Sequence, residues 1–538
     1  MKNKLSVRSE WERSTTRRCL NWFLSWRTLR RALLVVAGFG TLVALFYAVE
    51  NWRGARAWDQ HRRSLEVRGE SIELAELIPP PVPQEQNLAL APVLQPIFDY
   101  TRSATGLVWN QLEARERLSA AFGGSGKVMN VRDGPGSIEK GTFTDLEVCW
   151  REWPGKEPTA TAGNAVEAAE QLLGAMQEAS AILDGLAQAA VERPQTRFPV
   201  EYGWEPSFEI LLPHLGQMKG LQGAAVLRAI ARLELGQSRE AFSDLQLGFR
   251  LADAVRGEPI LISQLVRVAM VGRNLQVIRE GLHRRAWTPD ELIHLQRQLE
   301  GLDLLAGFEL AQQGERAMTV GAIDYLRRLG PRMNFLELAG DDSPLPVDLM
   351  LGCMPDGWYY RNMLLLSQLH EGYRPVLDVA AQRVHPKRGA AHEARLDQFN
   401  QSPTRPGNVL VKILMPNLVR GVVRPARVQT YADAARVAIA LERYRLDHGR
   451  IPSVLGELVP EYIEAIPHDL IDGEELRYLP GLEGDYRIYS VGWNETDDGG
   501  TLAWTKKGGS SVDETRGDWV WTMPEGRPAL GSSHAPRP

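Results

Sequence analysis

Cysteine is scarce in this chain of 538 residues, which contains only Cys19, Cys149 and Cys353. Cysteines so far apart exclude a disulfide scaffold and a zinc site, because structural zinc needs ligands clustered at short spacing. In an oxidising compartment Cys149 and Cys353 can pair, and the alternative is two separate buried thiols. The sequence leaves both open.

The chain also lacks a strong excess of charge of either sign. It has 62 Lys and Arg against 67 Asp and Glu, which gives a net charge of −5. A nucleic-acid-binding protein normally carries a basic face, so this balance argues against nucleic acid as a partner. The hydrophobic fraction of 44% and the charged fraction of 24% are typical of packed globular domains.

Motifs of the common enzyme classes are missing: GxxxxGK, HExxH, GxSxG and CxxC. The histidines are scattered, and His392-Glu393 lacks the second helical histidine of a metalloprotease. We expect His283 and His294 to lie at the surface. The acid pairs Asp341-Asp342 and Asp497-Asp498 can support acid–base chemistry only at a suitable separation in space, which a sequence does not give.

The chain does contain one long apolar run, residues 32–49, with 18 residues and no charge. As a helix it spans about 27 Å, close to the hydrocarbon thickness of a bilayer. Trp26 and Trp52 flank it as in an interfacial aromatic belt. A buried core helix is rarely apolar on every face, and a signal peptide usually ends in small residues rather than Phe46-Tyr47. The run therefore predicts an uncleaved transmembrane helix.

Basic residues predict the orientation of that helix. Nine lysines and arginines precede the run, and five follow it within twenty residues. By the positive-inside rule the N-terminus lies in the cytoplasm and the bulk of the chain outside it. We predict a single-pass protein of the bacterial inner membrane, with the lipid bilayer as a partner.

The fold class predicted is a multi-domain membrane protein with one transmembrane helix, a mainly α-helical central domain, and a C-terminal α+β module with a long helix and a small antiparallel sheet. The predicted divisions are a basic cytoplasmic tail (1–31), the transmembrane helix (32–49), a juxtamembrane helix (50–78), an extended or irregular segment with short strands (79–162), a helical domain (163–330), an irregular connector (331–408) and the α+β module (409–538).

The helical domain shows clear helix starts and stops. Apolar spacing predicts a helix over Asn164–Val191, and Thr288-Pro289 has the N-cap and first-turn chemistry of another. Residues 220–255 resemble a single tetratricopeptide-type hairpin, with Gly236 ending one helix and Ser238 starting the next. Such a domain is either a scaffold for a partner or an ordinary helical core.

In the C-terminal module a long helix should end at His448-Gly449, because Gly449 suits a left-handed C-cap and Pro452 prevents continuation. A short helix over 453–459 and two alternating segments, ELRYLP and DYRIYSVG, follow and predict an antiparallel pair.

Several motifs occur in order in this module. They are Met415-Pro416-Asn417-Leu418, the run from Tyr444 to Pro452, Ile466-Pro467-His468-Asp469, Tyr489-Ser490-Val491-Gly492 and Asp497-Asp498-Gly499-Gly500. Together they resemble the globular part of type II secretion pseudopilins and related type IV pilin-like proteins, over residues 409–521. Unlike that family, the apolar helix lacks a leader cleavage motif and lies several hundred residues upstream. The resemblance implies a pilin-like module grafted onto a membrane-anchored protein.

In the major pseudopilins the terminal Asp/Gly loop binds calcium. The resemblance therefore implies Ca²⁺ on Asn494, Glu495, Asp497 and Asp498, with Asp513 or Asp518 closing the loop; oxygen ligands of this kind suit a hard cation. The alternative is a solvated acidic turn.

Two functions follow as hypotheses. The first is a membrane-anchored envelope protein of structural or protein-interaction type, linked to secretion or pilin-like machinery through an unknown envelope partner. The alternative is a membrane-tethered periplasmic hydrolase whose site is assembled from distant residues. A pocket with convergent Asp, Glu or His groups would favour the hydrolase.

Overall fold

The computed structural model describes residues 26–103, 106–129, 135–155, 162–329, 353–415, 419–481, 484–505 and 511–523. The structure is mostly helical, with small antiparallel sheets. The helices are α1 (Trp26–Val67), α2 (Leu74–Leu77), α3 (Leu112–Val128), α4 (Leu146–Arg151), α5 (Ala165–Ala175), α6 (Gln177–Glu192), α7 (Pro213–Glu234), α8 (Ser238–Asp253), α9 (Leu261–His283), α10 (Pro289–Glu300), α11 (Leu304–Leu329), α12 (Asp356–Glu371), α13 (Pro386–Gln401), α14 (Val409–Leu414) and α15 (Val419–His448).

The strands form short antiparallel pairs and one three-stranded sheet. They are β1 (Tyr100–Ser103), β2 (Gly106–Trp109), β3 (Leu377–Asp378), β4 (Arg383–Val384), β5 (Arg477–Pro480), β6 (Tyr486–Ser490), β7 (Leu502–Trp504), β8 (Val512–Gly517) and β9 (Trp519–Met523). The chain forms two compact units. The anchor unit comprises Met1–Gly69, Ile323–Leu365 and Pro403–Leu414, and the main unit comprises Glu70–Ala322, Leu366–Ser402 and Met415–Pro538.

The anchor unit contains the long helix α1. An 18-residue window of α1 has a mean hydropathy of 2.3 and is 0% buried, so the helix is long and apolar enough to cross a membrane. Beyond the apolar run, α1 packs on the start of α12, where Gly54 and Gly357 allow backbone contact: a Cβ on Gly54 would lie 2.2 Å from the Gly357 carbonyl oxygen. The buried Glu50 carboxylate accepts a hydrogen bond from the Trp358 indole at 2.9 Å.

Helices α7, α8 and α9 pack side by side in the main unit. Glycine ends the first connection, since Gly236 has a φ of +73°. A buried ion pair fixes the hairpin: Arg228 on α7 reaches the Asp244 carboxylate on α8, with its Nε at 3.0 Å. Helix α10 begins with the predicted cap. The Thr288 hydroxyl accepts a hydrogen bond from the Glu291 N–H, and the Glu291 carboxylate accepts one from the Thr288 N–H.

Helix α15 is the centre of the C-terminal part of the main unit. It packs on α9 and α10, and strands β6 and β9 cover it from another side. Almost every side chain from Ala434 to Leu441 is therefore buried, which suits its alanine-rich composition. The helix ends at His448, and Gly449 has a φ of +72°, as the sequence predicts.

The sheet beside α15 has the order β5–β6–β9, and all its pairs are antiparallel. Ile488 of β6 lies opposite Tyr478 of β5 and Trp521 of β9. The two predicted strands thus pair as expected, and β9 adds a third. Residues 453–459 form a shorter element than predicted, a 3₁₀ turn over Leu455–Leu458.

Several local expectations were wrong. The helix expected over Asn164–Val191 is broken at Met176 into α5 and α6. The described part of 331–408 contains α12 and α13 rather than irregular chain alone. Residues 79–162 contain the predicted short strands, β1 and β2, but also the helices α3 and α4. His283 is buried, not at the surface, because the end of α9 is covered and its ring stacks on Phe143 at 4.3 Å.

The remaining differences concern the N-terminal helix and the cysteines. The juxtamembrane helix ends at Val67, short of residue 78. Cys149 is buried and Cys353 is exposed, and both are free thiols. Asp341-Asp342, residues 1–25 and the Pro416-Asn417-Leu418 part of the family motif lie outside the described residues.

Candidate functional site

The predicted calcium loop is held by contacts within the protein. Asn494 donates to the Asp498 carboxylate at 2.9 Å, while Glu495 forms an ion pair with Lys387. Asp497 accepts hydrogen bonds from the Gly499 N–H at 2.9 Å and the Tyr489 hydroxyl at 3.2 Å. Within the described residues, no three His, Cys, Asp or Glu side chains are grouped as a metal ion requires.

Asp513 and Asp518 behave differently from each other in this loop. Asp513 accepts from the backbone and hydroxyl of Thr515, on its own strand. Asp518 closes the loop, since its carboxylate accepts the N–H groups of Gly500 at 2.6 Å and Asp498 at 3.2 Å. The acidic residues therefore organise the turn through hydrogen bonds, and calcium binding there stays a prediction.

A second candidate site is a cavity of about 310 Å³ inside the main unit. Each of three helices contributes a stripe of residues at helical spacing: Lys219, Val226 and Ile230 from α7; Val268, Gly272, Arg273 and Gln276 from α9; Arg424, Val428 and Tyr431 from α15. The segment from Pro135 to Thr144 completes the wall, with Met129 at the end of α3. The lining thus combines apolar side chains with cations.

The segment from Pro135 to Thr144 is fixed on α9 by two buried charged residues. Arg279 donates to the carbonyl oxygens of Gly141 at 2.6 Å and Thr142 at 3.0 Å. Glu280 accepts from the Thr144 N–H at 2.8 Å. Burial lowers the pKa of the Arg279 guanidinium to about 10, yet its hydrogen bonds to carbonyls keep it a donor at neutral pH. The wall of the cavity is therefore well anchored.

Three cationic side chains face this cavity: Lys219, Arg273 and Arg424. Within the described residues none of them has an acidic partner or a hydrogen bond. Burial lowers the pKa of Lys219, and the charges of Arg273 and Arg424 lower it further. Burial and the charge of Arg424 also lower the pKa of Arg273. The three cations thus lie close enough to repel one another.

Tyr431 also lines the cavity. Tyr431 is 2% exposed, and its hydroxyl has no hydrogen-bond partner among the described residues. A buried hydroxyl without a partner is costly, so it is a polar group available to a ligand. The one acid of the described lining, Glu139, accepts from Arg427 at 2.6 Å.

Sequence reasoning missed this cavity. Its cations come from three helices that are far apart in the chain, and no short motif joins them. The one signal was the spacing of Arg424, Val428 and Tyr431 at i, i+4 and i+7, which places a cation and a hydroxyl on one helical face. Comparison with known proteins adds no candidate: no family model, no characterised protein and no solved structure matches this chain.

Proposed function

We propose that this chain is a single-pass, membrane-anchored bacterial envelope protein of structural or protein-interaction type, with its N-terminus in the cytoplasm and its main unit outside. The observation that carries the proposal is α1, whose apolar window is 0% buried inside the protein. An apolar surface of that size on a helix is stable in lipid and unfavourable in water.

The C-terminal part of the main unit supports the interaction role. Its long helix α15 is followed by the antiparallel pair β5–β6 and then by the Asp/Gly loop, the order on which the proposed pilin-like resemblance rests. It also exposes large apolar side chains of the kind found at protein interfaces. These are Leu446, Val454, Val459, Leu479 and Trp504. We propose that this module binds an envelope partner of secretion or pilin-like machinery.

The described lining of the cavity does not favour the hydrolase alternative. The described lining of the cavity contains no histidine, and its one acid is paired with Arg427. General acid–base catalysis needs such groups within hydrogen-bond reach of the reacting atoms.

Membrane anchoring is tested by charge substitution within α1. The double variant Phe39→Arg/Leu42→Arg places two cations on exposed positions of the apolar run. Each arginine costs about 3 kcal/mol at the centre of a membrane helix, so the variant should become extractable by alkaline carbonate whereas the parent stays in the membrane. Phe208→Arg, at an exposed position of the main unit, is the matched control and should not change the fractionation.

Topology is tested with a C-terminal reporter. An alkaline phosphatase fusion should be active and a fluorescent-protein fusion dark if the main unit lies outside the cytoplasm. Mass determination of the mature N-terminus separates an anchor from a cleaved signal sequence. A cytoplasmic reporter, or loss of residues 1–49 by cleavage, would refute the proposed anchoring.

The interaction role is tested by affinity purification of the detergent-solubilised protein. A partner that binds the pilin-like module should be recovered with the parent and lost with Val454→Ser or Trp504→Ser, since both side chains are exposed and apolar. Recovery of the same partner from both variants would count against this surface.

A further inference from the structure

The cations of the cavity differ from other arginines in the core of this unit. Several of those have acid partners: Arg228 with Asp244, Arg284 with Glu280, and Arg427 with Glu139 and Glu514. Such pairing compensates a buried charge for its lost hydration. In the cavity, Lys219 and Arg273 are half-buried and Arg424 is exposed, and none of the three has an acid partner among the described residues.

Lys219, Arg273 and Arg424 instead surround a common volume. Mutual repulsion of like charges at a partly buried site raises the free energy of the folded protein, and an anion between them converts that repulsion into attraction. The Tyr431 hydroxyl points to the same conclusion independently. It is buried without a partner among the described residues, and Tyr431 lines the same cavity.

The size and walls of the cavity limit what the anion can be. A volume of about 310 Å³ is at the small end of ligand pockets. Ile138, Val226, Ile230, Val268 and Val428 give it apolar walls, which favour a ligand with a hydrophobic body. Two guanidinium groups, an ammonium and a hydroxyl are more donors than a carboxylate has oxygens to satisfy, whereas a phosphate presents three oxygens and two negative charges.

We propose that this cavity binds a small organic phosphate monoester, with the phosphate held by Lys219, Arg273, Arg424 and the Tyr431 hydroxyl and a short apolar body against the valine and isoleucine side chains. The site is a binding site in the main unit and is independent of how the chain is anchored.

Isothermal titration of the full chain in detergent tests the ligand class, with phenyl phosphate as the probe. Benzoate and inorganic phosphate are the comparison ligands, at matched ionic strength because screening weakens all three. Phenyl phosphate should bind at least about tenfold more tightly than either, since benzoate lacks the second charge and inorganic phosphate lacks the apolar body. No binding of phenyl phosphate, or equal binding of benzoate, would overturn the phosphate assignment. Equal binding of inorganic phosphate would overturn the apolar part of it.

Variants test the residues. Arg273→Gln should weaken phenyl phosphate binding about tenfold or more, because a charged hydrogen bond to the phosphate is lost. Tyr431→Phe should also weaken binding several-fold, yet leave the melting temperature of the free protein unchanged or raised, because it removes a buried hydroxyl that has no partner. A purely structural role for this hydroxyl would instead lower the melting temperature and leave the affinity unchanged.

Arg239→Gln is the matched control, since Arg239 is exposed on α8 and its loss changes the net charge by the same amount. It should not change the affinity. If Arg273→Gln proves unstable, Lys219→Met tests the same claim. Wild-type affinity in both Lys219→Met and Tyr431→Phe would refute the site.

Discussion

Asp469 shows how much a single side chain organises in this fold. It is 0% exposed, and its carboxylate accepts from the Ser490 hydroxyl at 2.7 Å and from the Val491 N–H at 2.9 Å. It also accepts from the Ile471 N–H at 2.9 Å and forms an ion pair with Arg477 at 3.0 Å. The loop after α15 and the end of β6 are thus joined at one buried charge.

Asp469→Ala should therefore destabilise the protein by about 3 kcal/mol, because two backbone N–H groups and a guanidinium lose their acceptor in a buried place. Asp469→Asn should cost less, since the amide retains one acceptor oxygen. Urea unfolding of the full chain in detergent measures both. Glu461→Gln, at an exposed acid nearby in sequence, serves as the control and should change stability by less than about 0.5 kcal/mol. Equal stability of parent and Asp469→Ala would contradict the assigned role.

At the scale of helices, the contact between α1 and α12 depends on the absence of side chains at two positions. A Cβ on Gly357 would lie 1.9 Å from the Glu50 carbonyl oxygen, and one on Gly54 would overlap the backbone of Gly357. The Asn51 side-chain oxygen also accepts a hydrogen bond from the Gly357 N–H at 2.9 Å. The two helices consequently meet backbone to backbone.

Gly54→Ala should separate these helices and destabilise the anchor unit by about 1–3 kcal/mol, because backbone atoms cannot move aside as a flexible side chain can. Gly38→Ala in the same helix is the matched control: nothing lies within 4 Å of its added Cβ, and alanine raises helix propensity. Thermal unfolding in detergent should show opposite signs for the two variants. A stabilised Gly54→Ala would mean that α1 and α12 do not pack in this way.

Helix ends that are set by nearby capping residues could be predicted from the sequence, whereas a break inside an apolar pattern could not. Gly449 and the Thr288 cap are encoded within a few residues, so the ends of α15 and α10 were predicted correctly. The break at Met176 comes two residues after Gly174, and a single glycine inside a helical pattern is too weak a signal to predict it. The alternation of ELRYLP and DYRIYSVG gave the β5–β6 pair, whereas β9 follows from a distant segment.

At the scale of the whole molecule, sequence reasoning identified the acidic loop but did not predict the cationic cavity. Asp497 and Asp498 are adjacent and form a visible motif, but in the fold they are occupied by internal hydrogen bonds. Lys219, Arg273 and Arg424 become neighbours only when α7, α9 and α15 pack together. The net charge of −5 gives no sign of this cluster, because three cations are a small part of the 62 lysines and arginines in the chain.

Buried histidines give the main unit a predictable response to acid. Burial, with the charges of Arg316 and His392 nearby, lowers the pKa of His370 from 6.5 to about 3. Burial and the charge of Arg284 lower the pKa of His283 to about 4. Opposing these, burial raises the pKa of Asp433 to about 6. The histidines favour the unfolded state as protons become available, whereas Asp433 favours the folded state.

The sign follows from proton binding. Between pH 6.5 and 4 the unfolded chain protonates both histidines and the folded chain neither, so stability falls as the pH falls, by about 1.4 kcal/mol per pH unit for each group. Asp433 takes up its proton in the folded state below about pH 6 and therefore opposes the two histidines over this range. Urea unfolding at pH 7, 6 and 5 measures this dependence of the free energy of unfolding on pH. His370→Leu should remove one histidine's share of the slope. If His370→Leu keeps the full slope, the pKa of His370 is the same in the folded and the unfolded state. The burial of His370 without ring hydrogen bonds among the described residues would then not control the acid response.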